Sequence, residues 1–295
     1  MLSNMSDKNV SLNPYKFSST VYSLDRLMTG GVSNELGLLI PEFQRDYTWE
    51  KKDVTRLFND LLLGFSARMK NLSSHFFGAT VWNERKRTNL ETEFILPSYD
   101  IVDGQQRITT CLLLSISMLF KIRTLQKKIK DENSLSNNLL TWLDNESDYI
   151  ERNIRDLIIG DIKRGTDFFP RIIHEEDIRG KTSKTSEYKS PLSKILLAVG
   201  KAIDEDKDLV EYSKIKINLD QDNVFQRLIG NINLFEFYID QIDDKDFFQE
   251  LNIPFVEKTF LYKNPYKELF NSESDRSEFD TALNSNKLFE KQIRQ

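Results

Sequence analysis

Apolar residues in the first half of the chain recur with two different periods. The series Val54, Leu57, Phe58, Leu61, Leu62 and Phe65 repeats at three and four residues, which predicts an amphipathic helix packed on a sheet. Tyr99-Asp100-Ile101-Val102 has the alternation of a strand, whereas Ile108, Cys111, Leu112, Ser115 and Leu119 follow helical spacing. Further strands are expected over residues 36–40, 76–82 and 94–102, the last two separated by a charged hairpin or loop around residues 84–92. Val21, Leu24, Leu27 and Met28 suggest a short helix stopped by Gly30-Gly31. From about Leu135 onward the pattern is mainly helical, with helices over residues 139–150 and 192–203. The predicted fold class is therefore α+β: a mixed-sheet core over residues 20–130, followed by a mainly helical region over residues 131–295. Residues 1–19 read as a loosely held polar tail, and residues 180–186 as a small, polar surface or ligand-ordered loop.

The change of period falls on Asp103-Gly104-Gln105-Gln106-Arg107-Ile108-Thr109-Thr110. This run places a tight turn, a cation and two hydroxyls where a strand hands over to a helix. Amides of a first helical turn lack partners within the helix and carry partial positive charge, so this segment can meet an anion with amides, guanidinium and hydroxyls together. A plainer reading stands beside it: Asp103 caps the helix, Gly104 allows a positive φ, and Gln105, Gln106 and Arg107 form an exposed polar first turn. A second such constellation, Ile40-Pro41-Glu42-Phe43-Gln44-Arg45-Asp46-Tyr47-Thr48-Trp49, again runs from a strand through a Gln-Arg step into a helix. Tyr47 and Trp49 suit a hydrophobic staple at that helix start better than base stacking.

Together the two segments, with Phe76-Phe77-Gly78 between them, resemble the DUF262 family, the N-terminal module of GmrSD-type modification-dependent restriction systems. Its pattern reads approximately I-P-x-[FY]-Q-R-x-Y-x-W, an F-x-G strand, then D-G-Q-Q-R-x-T-T. The resemblance covers roughly residues 20 to 120. It implies a ParB/sulfiredoxin-like core that binds, and in several members hydrolyses, nucleoside triphosphates in bacterial defence against phage. Gln44 and Arg45 match the first motif; Asp103, Gly104, Gln105, Gln106, Arg107, Thr109 and Thr110 match the second. A later F-E-x-L-N-x-R-G segment of the family has its nearest counterpart in Phe248-Gln249-Glu250-Leu251-Asn252, which continues into Ile253-Pro254 where the family has Arg-Gly. Fused relatives carry an HNH nuclease domain that needs several histidines. This chain has only His75 and His174, without metal-ligand spacing, so DNA cleavage by the chain alone is not expected. In the split arrangement of the family, a subunit of this kind works with a separate HNH nuclease subunit.

Composition narrows the setting. With 295 residues, 39% hydrophobic and 29% charged, the chain has the material for a substantial core. A net charge of -5 argues against coating DNA through the whole surface, so any contact with DNA, modified or not, would be local. Lys121, Arg123, Lys127, Lys128 and Lys130 gather late in the helix after the second motif, where a solvated helix end accounts for them better than a DNA patch. Cys111 reads as a core residue. Without an early targeting pattern or an uncharged apolar run of bilayer length, cytoplasmic residence without membrane contact is expected, and an oligomer is permitted.

No Walker A loop is present, so an anion site has to use the two Gln-Arg steps. Under the nucleotide reading, Arg107, Arg45 and Gln44 donate to phosphate, with the helix-opening residues Gly104, Gln105 and Gln106 and with Thr109 or Thr110. Asp103 holds a divalent cation or orients water. A carboxylate beside a triphosphate repels it unless a cation intervenes, so Mg2+ is implied as a cofactor. The alternative from another class is a noncatalytic DNA-sensing or assembly module whose Gln-Arg turns grip a DNA phosphate, since phosphate donors do not distinguish nucleotide from DNA backbone.

Overall fold

The computed structural model describes residues 28, 37–69, 78–84, 99–131, 137–161, 168–178, 188–205, 215 and 222–240. The N-terminal tail, the loop at residues 180–186, the Phe248–Asn252 counterpart and residues 284–295 lie outside them, as does the helix proposed before Gly30 except for Met28, which is helical and buried. In chain order the elements are β1 (Leu38–Ile40), α1 (Lys51–Met69), β2 (Val81–Glu84), β3 (Tyr99–Asp103), α2 (Gln105–Asp131) and α3 (Asn137–Ile158). There follow β4 (Ile159–Asp161), β5 (Phe168–Pro170), β6 (Ile172–His174), α4 (Glu175–Ile178), α5 (Pro191–Glu205) and α6 (Asn223–Asp240).

The main sheet is mixed, in the order β2-β3-β1-β6, with β1 parallel to both β3 and β6 and β2 antiparallel to β3. A mixed sheet joined to a largely helical second half is the expected α+β class. Of the strands expected over residues 76–82 and 94–102, residues 76–77 and 94–98 lie outside the described residues; Gly78, at φ +106°, is outside regular structure, and among the described residues pairing begins at Val81 and Tyr99. The three short strands β4, β5 and β6 were not anticipated in the helical half. Each spans three residues, too few for an alternating pattern to emerge. Ile172 and Ile173 of β6 are buried because β6 pairs with β1 along its length.

α2 holds the core together. Ile108, Leu112, Leu113, Ile116, Leu119 and Phe120 are all buried, and they point to more than one side of the helix. α3 and α6 pack against it. Gln105–Lys127 is long and apolar enough to cross a membrane by length and composition, a property the sequence reading did not assign to it. In this fold most of that stretch is buried inside the protein, with Met118 exposed. One apolar cluster joins Met28, Leu38, Val54 and Phe58 to Ile172, Ile195, Leu228 and Phe235. It therefore crosses the expected division at residue 130.

Three of the basic residues late in α2, Lys121, Arg123 and Lys130, face carboxylates from other helices. Arg123, buried, grips Glu151 of α3 at 2.8 and 3.0 Å and donates to the Ile203 carbonyl of α5 at 3.1 Å. Lys121 pairs with Asp240 and Lys130 with Asp144. A buried guanidinium needs such partners, since an uncompensated charge there would cost several kcal/mol.

The corner after β6 is pinned by Asp177. Its buried carboxylate accepts from the backbone amides of His174 (3.0 Å), Lys189 (2.6 Å) and Ser190 (2.8 Å) and from the hydroxyls of Ser190 and Ser193 (both 2.6 Å). Burial by itself would raise its pKa, but these bonds outweigh burial and hold it below the ordinary carboxylate value. The unfolded chain therefore binds the extra proton in acid. The stabilisation is present above the unfolded-state pKa and is lost as pH falls through the folded-state value. Asp177→Asn should cost about 1.5–3 kcal/mol at neutral pH and should flatten the loss of stability in acid. Thermal or urea unfolding of both proteins at neutral pH and near pH 3 measures this; parallel pH dependences would exclude the role given to Asp177.

Candidate functional site

Because β1 and β3 are parallel neighbours, both Gln-Arg steps leave the sheet at the same edge, the carboxyl end of its strands. Open α/β sheets offer ligand crevices at such an edge. After Ile40 the chain turns tightly, with the Gln44 amide donating to the Pro41 carbonyl at 2.9 Å, and the Glu42 amide donates to the Glu175 carboxylate just beyond β6 at 3.1 Å. Residues 45–49 are neither helix nor strand. α1 then starts with the Asp53 carboxylate accepting from the Glu50 amide at 3.3 Å, a carboxylate reaching back to cap the helix.

The glutamines of the second motif lock onto this irregular segment. Gln105 donates from Nε2 to the Arg45 carbonyl at 3.1 Å, and Gln106 donates to the Asp46 carbonyl at 3.1 Å while its Oε1 accepts from the Thr48 amide at 2.8 Å. Gln44 closes the exchange from the other side by donating to the Val102 carbonyl at 2.7 Å. The motifs are thus in contact, and the three glutamine amides are engaged in joining them.

Tyr47 is the buried centre of a second network. Thr110 donates its hydroxyl hydrogen to the Gln106 carbonyl at 2.7 Å, so in the 2.7 Å contact between Thr110 and Tyr47 the phenol is the donor. The free lone pair of that phenol accepts from Nδ2 of Asn231 at 3.0 Å, and the same nitrogen donates to the Trp49 carbonyl at 3.0 Å. Burial pushes the Tyr47 phenol up to about 12, against the opposing effect of the Thr110 and Asn231 bonds, so it stays protonated. Its ring lies in the core, as a staple requires, and is not offered to a base. Trp49 packs against the same core, half-buried.

Arg107 leans the other way, toward the irregular segment just before β2. Its guanidinium donates to the Ala79 carbonyl and to Asp103 Oδ2, the latter at 3.4 Å, and 23% of its side chain is exposed. A Cβ added to Gly78 would stand 1.9 Å from Nη1 of Arg107. The glycine of the Phe76-Phe77-Gly78 segment is therefore the surface against which the arginine lies. Gly104 has φ +96°, and a Cβ there would lie 2.5 Å from the Thr80 methyl, so turn and close approach both require glycine.

Arg45 differs from the other cation. It is exposed, and among the described residues its side chain makes no hydrogen bond or ion pair, while its own carbonyl is held by Gln105. Thr109 and Thr110 are fully buried. The Thr109 hydroxyl and the Gln105 Oε1 are buried without a partner among the described residues. The groups open to an outside anion are thus Arg45 and the exposed part of Arg107, beside the start of α2, a helix of 27 residues at whose opening Gly104 and Gln105 are buried.

Carboxylates lie close by. The Asp103 side chain is 66% exposed. At the end of β6, burial raises the pKa of Glu176, helped by the nearby charges of Asp177 and Asp46, and burial lowers that of His174. Among the described residues no group of three or more His, Cys, Asp or Glu side chains is arranged to hold a metal ion. Asp103, the exposed carboxylate beside the helix opening, is the residue here that would suit a Mg2+ ion, which commonly takes only one or two protein carboxylates.

Sequence reasoning did not find Asn231, Arg227 or Glu175. The α6 residues sit on an ordinary amphipathic helix, where an amide has no spacing to mark it. Gly78 stood in a quoted motif, yet only the approach of Arg107 gives it a reason. No curated protein matches the chain. The family described as GmrSD restriction endonuclease, N-terminal domain, matches residues 27–259, well beyond the stretch that carries the motifs. That span holds both Gln-Arg steps, the whole described sheet and the α6 helix that grips Tyr47, and with most of its length matched the chain belongs to the GmrSD restriction endonuclease N-terminal domain family, a component of restriction systems.

Proposed function

We propose that the chain binds a nucleoside triphosphate with Mg2+ at the carboxyl end of β1 and β3, and that occupancy or hydrolysis of this nucleotide controls DNA cleavage by a separate HNH nuclease subunit in the cytoplasm. Arg45 carries this reading: an exposed guanidinium without a protein partner among the described residues, on a backbone fixed by Gln105, beside the opening of a long helix. A cation whose backbone is already ordered loses less entropy on meeting an anion. Arg107 adds charge from the other motif, and the start of α2 adds the partial positive charge of a helix end. Mg2+ would offset repulsion between the polyphosphate and Asp103. Asp103, largely exposed, is the group suited to orient an attacking water. Gln44, Gln105 and Gln106 serve by joining the two motifs, and Thr110 by anchoring Tyr47.

Nucleotide titration of the purified chain with and without Mg2+ tests this directly. Saturable, base-selective binding supports it, whereas DNA binding insensitive to nucleotide favours a DNA-sensing module. Arg45→Ala should weaken triphosphate binding roughly 10- to 150-fold, the equivalent of a charge-assisted bond of about 1.5–3 kcal/mol, with little change in thermal stability. Arg107→Ala should lose comparable affinity and also some stability, because it gives up its bonds to Ala79 and Asp103. Wild-type affinity in both variants would remove the site.

Gly78→Ala should reproduce the binding defect of Arg107→Ala, since its Cβ and the guanidinium cannot share the same space. Normal affinity in that variant would show that Arg107 reaches the ligand from elsewhere. The purified chain should not cut modified or unmodified DNA on its own with Mg2+ and any common nucleoside triphosphate. Cleavage that disappears in Asp103→Asn would overturn the division between this chain and a nuclease partner.

A further inference from the structure

We propose that Asn231 and Arg227 of α6 are positioning residues for this site: they hold the backbone of residues 47–49 next to the part held by the α2 glutamines and thereby fix the place of Arg45. The proposal rests on the nucleotide reading for its effect on affinity, and on geometry for its effect on the backbone. Residues 45–49 have no helix or sheet partners, so their polar groups need side chains. Arg45 and Asp46 carbonyls receive Gln105 and Gln106 of α2. The Tyr47 carbonyl receives Nη1 of Arg227 at 3.1 Å, and the Trp49 carbonyl receives Nδ2 of Asn231 at 3.0 Å. Arg227 also faces Glu50 at 3.7 Å.

Asn231 is only 4% exposed, and both hydrogens of its Nδ2 are engaged, one by Trp49 and one by the Tyr47 phenol. The phenol in turn donates to Thr110, whose hydroxyl donates to the Gln106 carbonyl. Gln106 holds Asp46 and Thr48. The chain of bonds from α6 therefore returns to the segment through α2 and closes on itself. No atom of Asn231 or Arg227 needs to touch nucleotide. A helix nearly two hundred residues downstream in sequence sets the geometry of the first Gln-Arg step.

The experiment uses the full chain at a temperature where every variant is folded. Asn231→Asp keeps the shape and replaces the donor by a carboxylate against the Trp49 carbonyl. Tyr47→Phe removes the phenol and leaves the Asn231 bond to Trp49. Ile232→Val, in the core one residue along α6, lowers stability while leaving the bonds of Asn231 and Arg227 in place, and controls for destabilisation alone. Two readouts are taken: the affinity for Mg2+-nucleotide and the hydrogen exchange of the backbone amides of residues 45–49. Asn231→Asp should weaken nucleotide binding at least tenfold and accelerate exchange in that segment, with Ile232→Val close to wild type in both. Tyr47→Phe should have a smaller effect, and combining it with Asn231→Asp should add little, because the two share one network. Wild-type affinity and exchange in Asn231→Asp would overturn the proposal, as would equal losses in Ile232→Val. If the wild-type chain binds no nucleotide at all, the proposed function falls, and the exchange rates alone decide the positioning role: accelerated exchange sustains it and unchanged exchange ends it.

Discussion

A backbone that is partly buried and belongs to neither helix nor sheet must find hydrogen-bond partners among side chains, since an unpaired buried carbonyl or amide costs about 1–3 kcal/mol. Residues 45–49 are such a backbone, and the rest of the site depends on how they are satisfied. Gln105 and Gln106 reach them from the start of α2, and Arg227 and Asn231 reach them from α6. The glutamine pair thus does work that neither a bare cap nor a bare phosphate cradle would ask of it. It joins one strand ending to its neighbour, so that the two arginines belong to one edge of one sheet.

That joining makes the two halves of the chain interdependent. β6, from the helical half, pairs with β1, and α6 packs on α2 and α1. The apolar cluster runs from Met28 to Tyr238 without a break at residue 130. A site built from the first half alone would lack the donors for Tyr47 and Trp49 and the carboxylate of Glu175 for the Glu42 amide. The extent of the family match, residues 27–259, agrees with a unit of that size.

Charge is divided between the two arginines in an uneven way. Arg107 is largely committed to its own surroundings, through Ala79, Asp103 and the flat contact with Gly78, whereas Arg45 is exposed. A site with one committed and one exposed cation, bordered by Asp103 and the acidic end of β6, meets a highly charged anion most favourably when a divalent cation accompanies it. With an acidic net charge, any attraction of the chain for anions has to come from local geometry.

The sequence by itself determined the local events: the strand-to-helix switch at Gly104, the amphipathic helix after Trp49, the buried face of α2 with Cys111, and the two motifs that place the chain in its family. These are short-range matters, set by periodicity, a glycine that alone tolerates φ +96°, and residue order. Only the tertiary structure decided which of the motif side chains are taken up by the fold and which stay exposed. Gln44, Gln105, Gln106 and Thr110 are of the right chemical types to hold phosphate, but an amide or hydroxyl binds whichever partner lies within reach, and here strand adjacency and α6 bring backbone carbonyls and a tyrosine there first. The short strand β6, the role of Gly78 and the grip of Asn231 were hidden for the same reason: each depends on a residue far away in the chain, and no local pattern records such a contact.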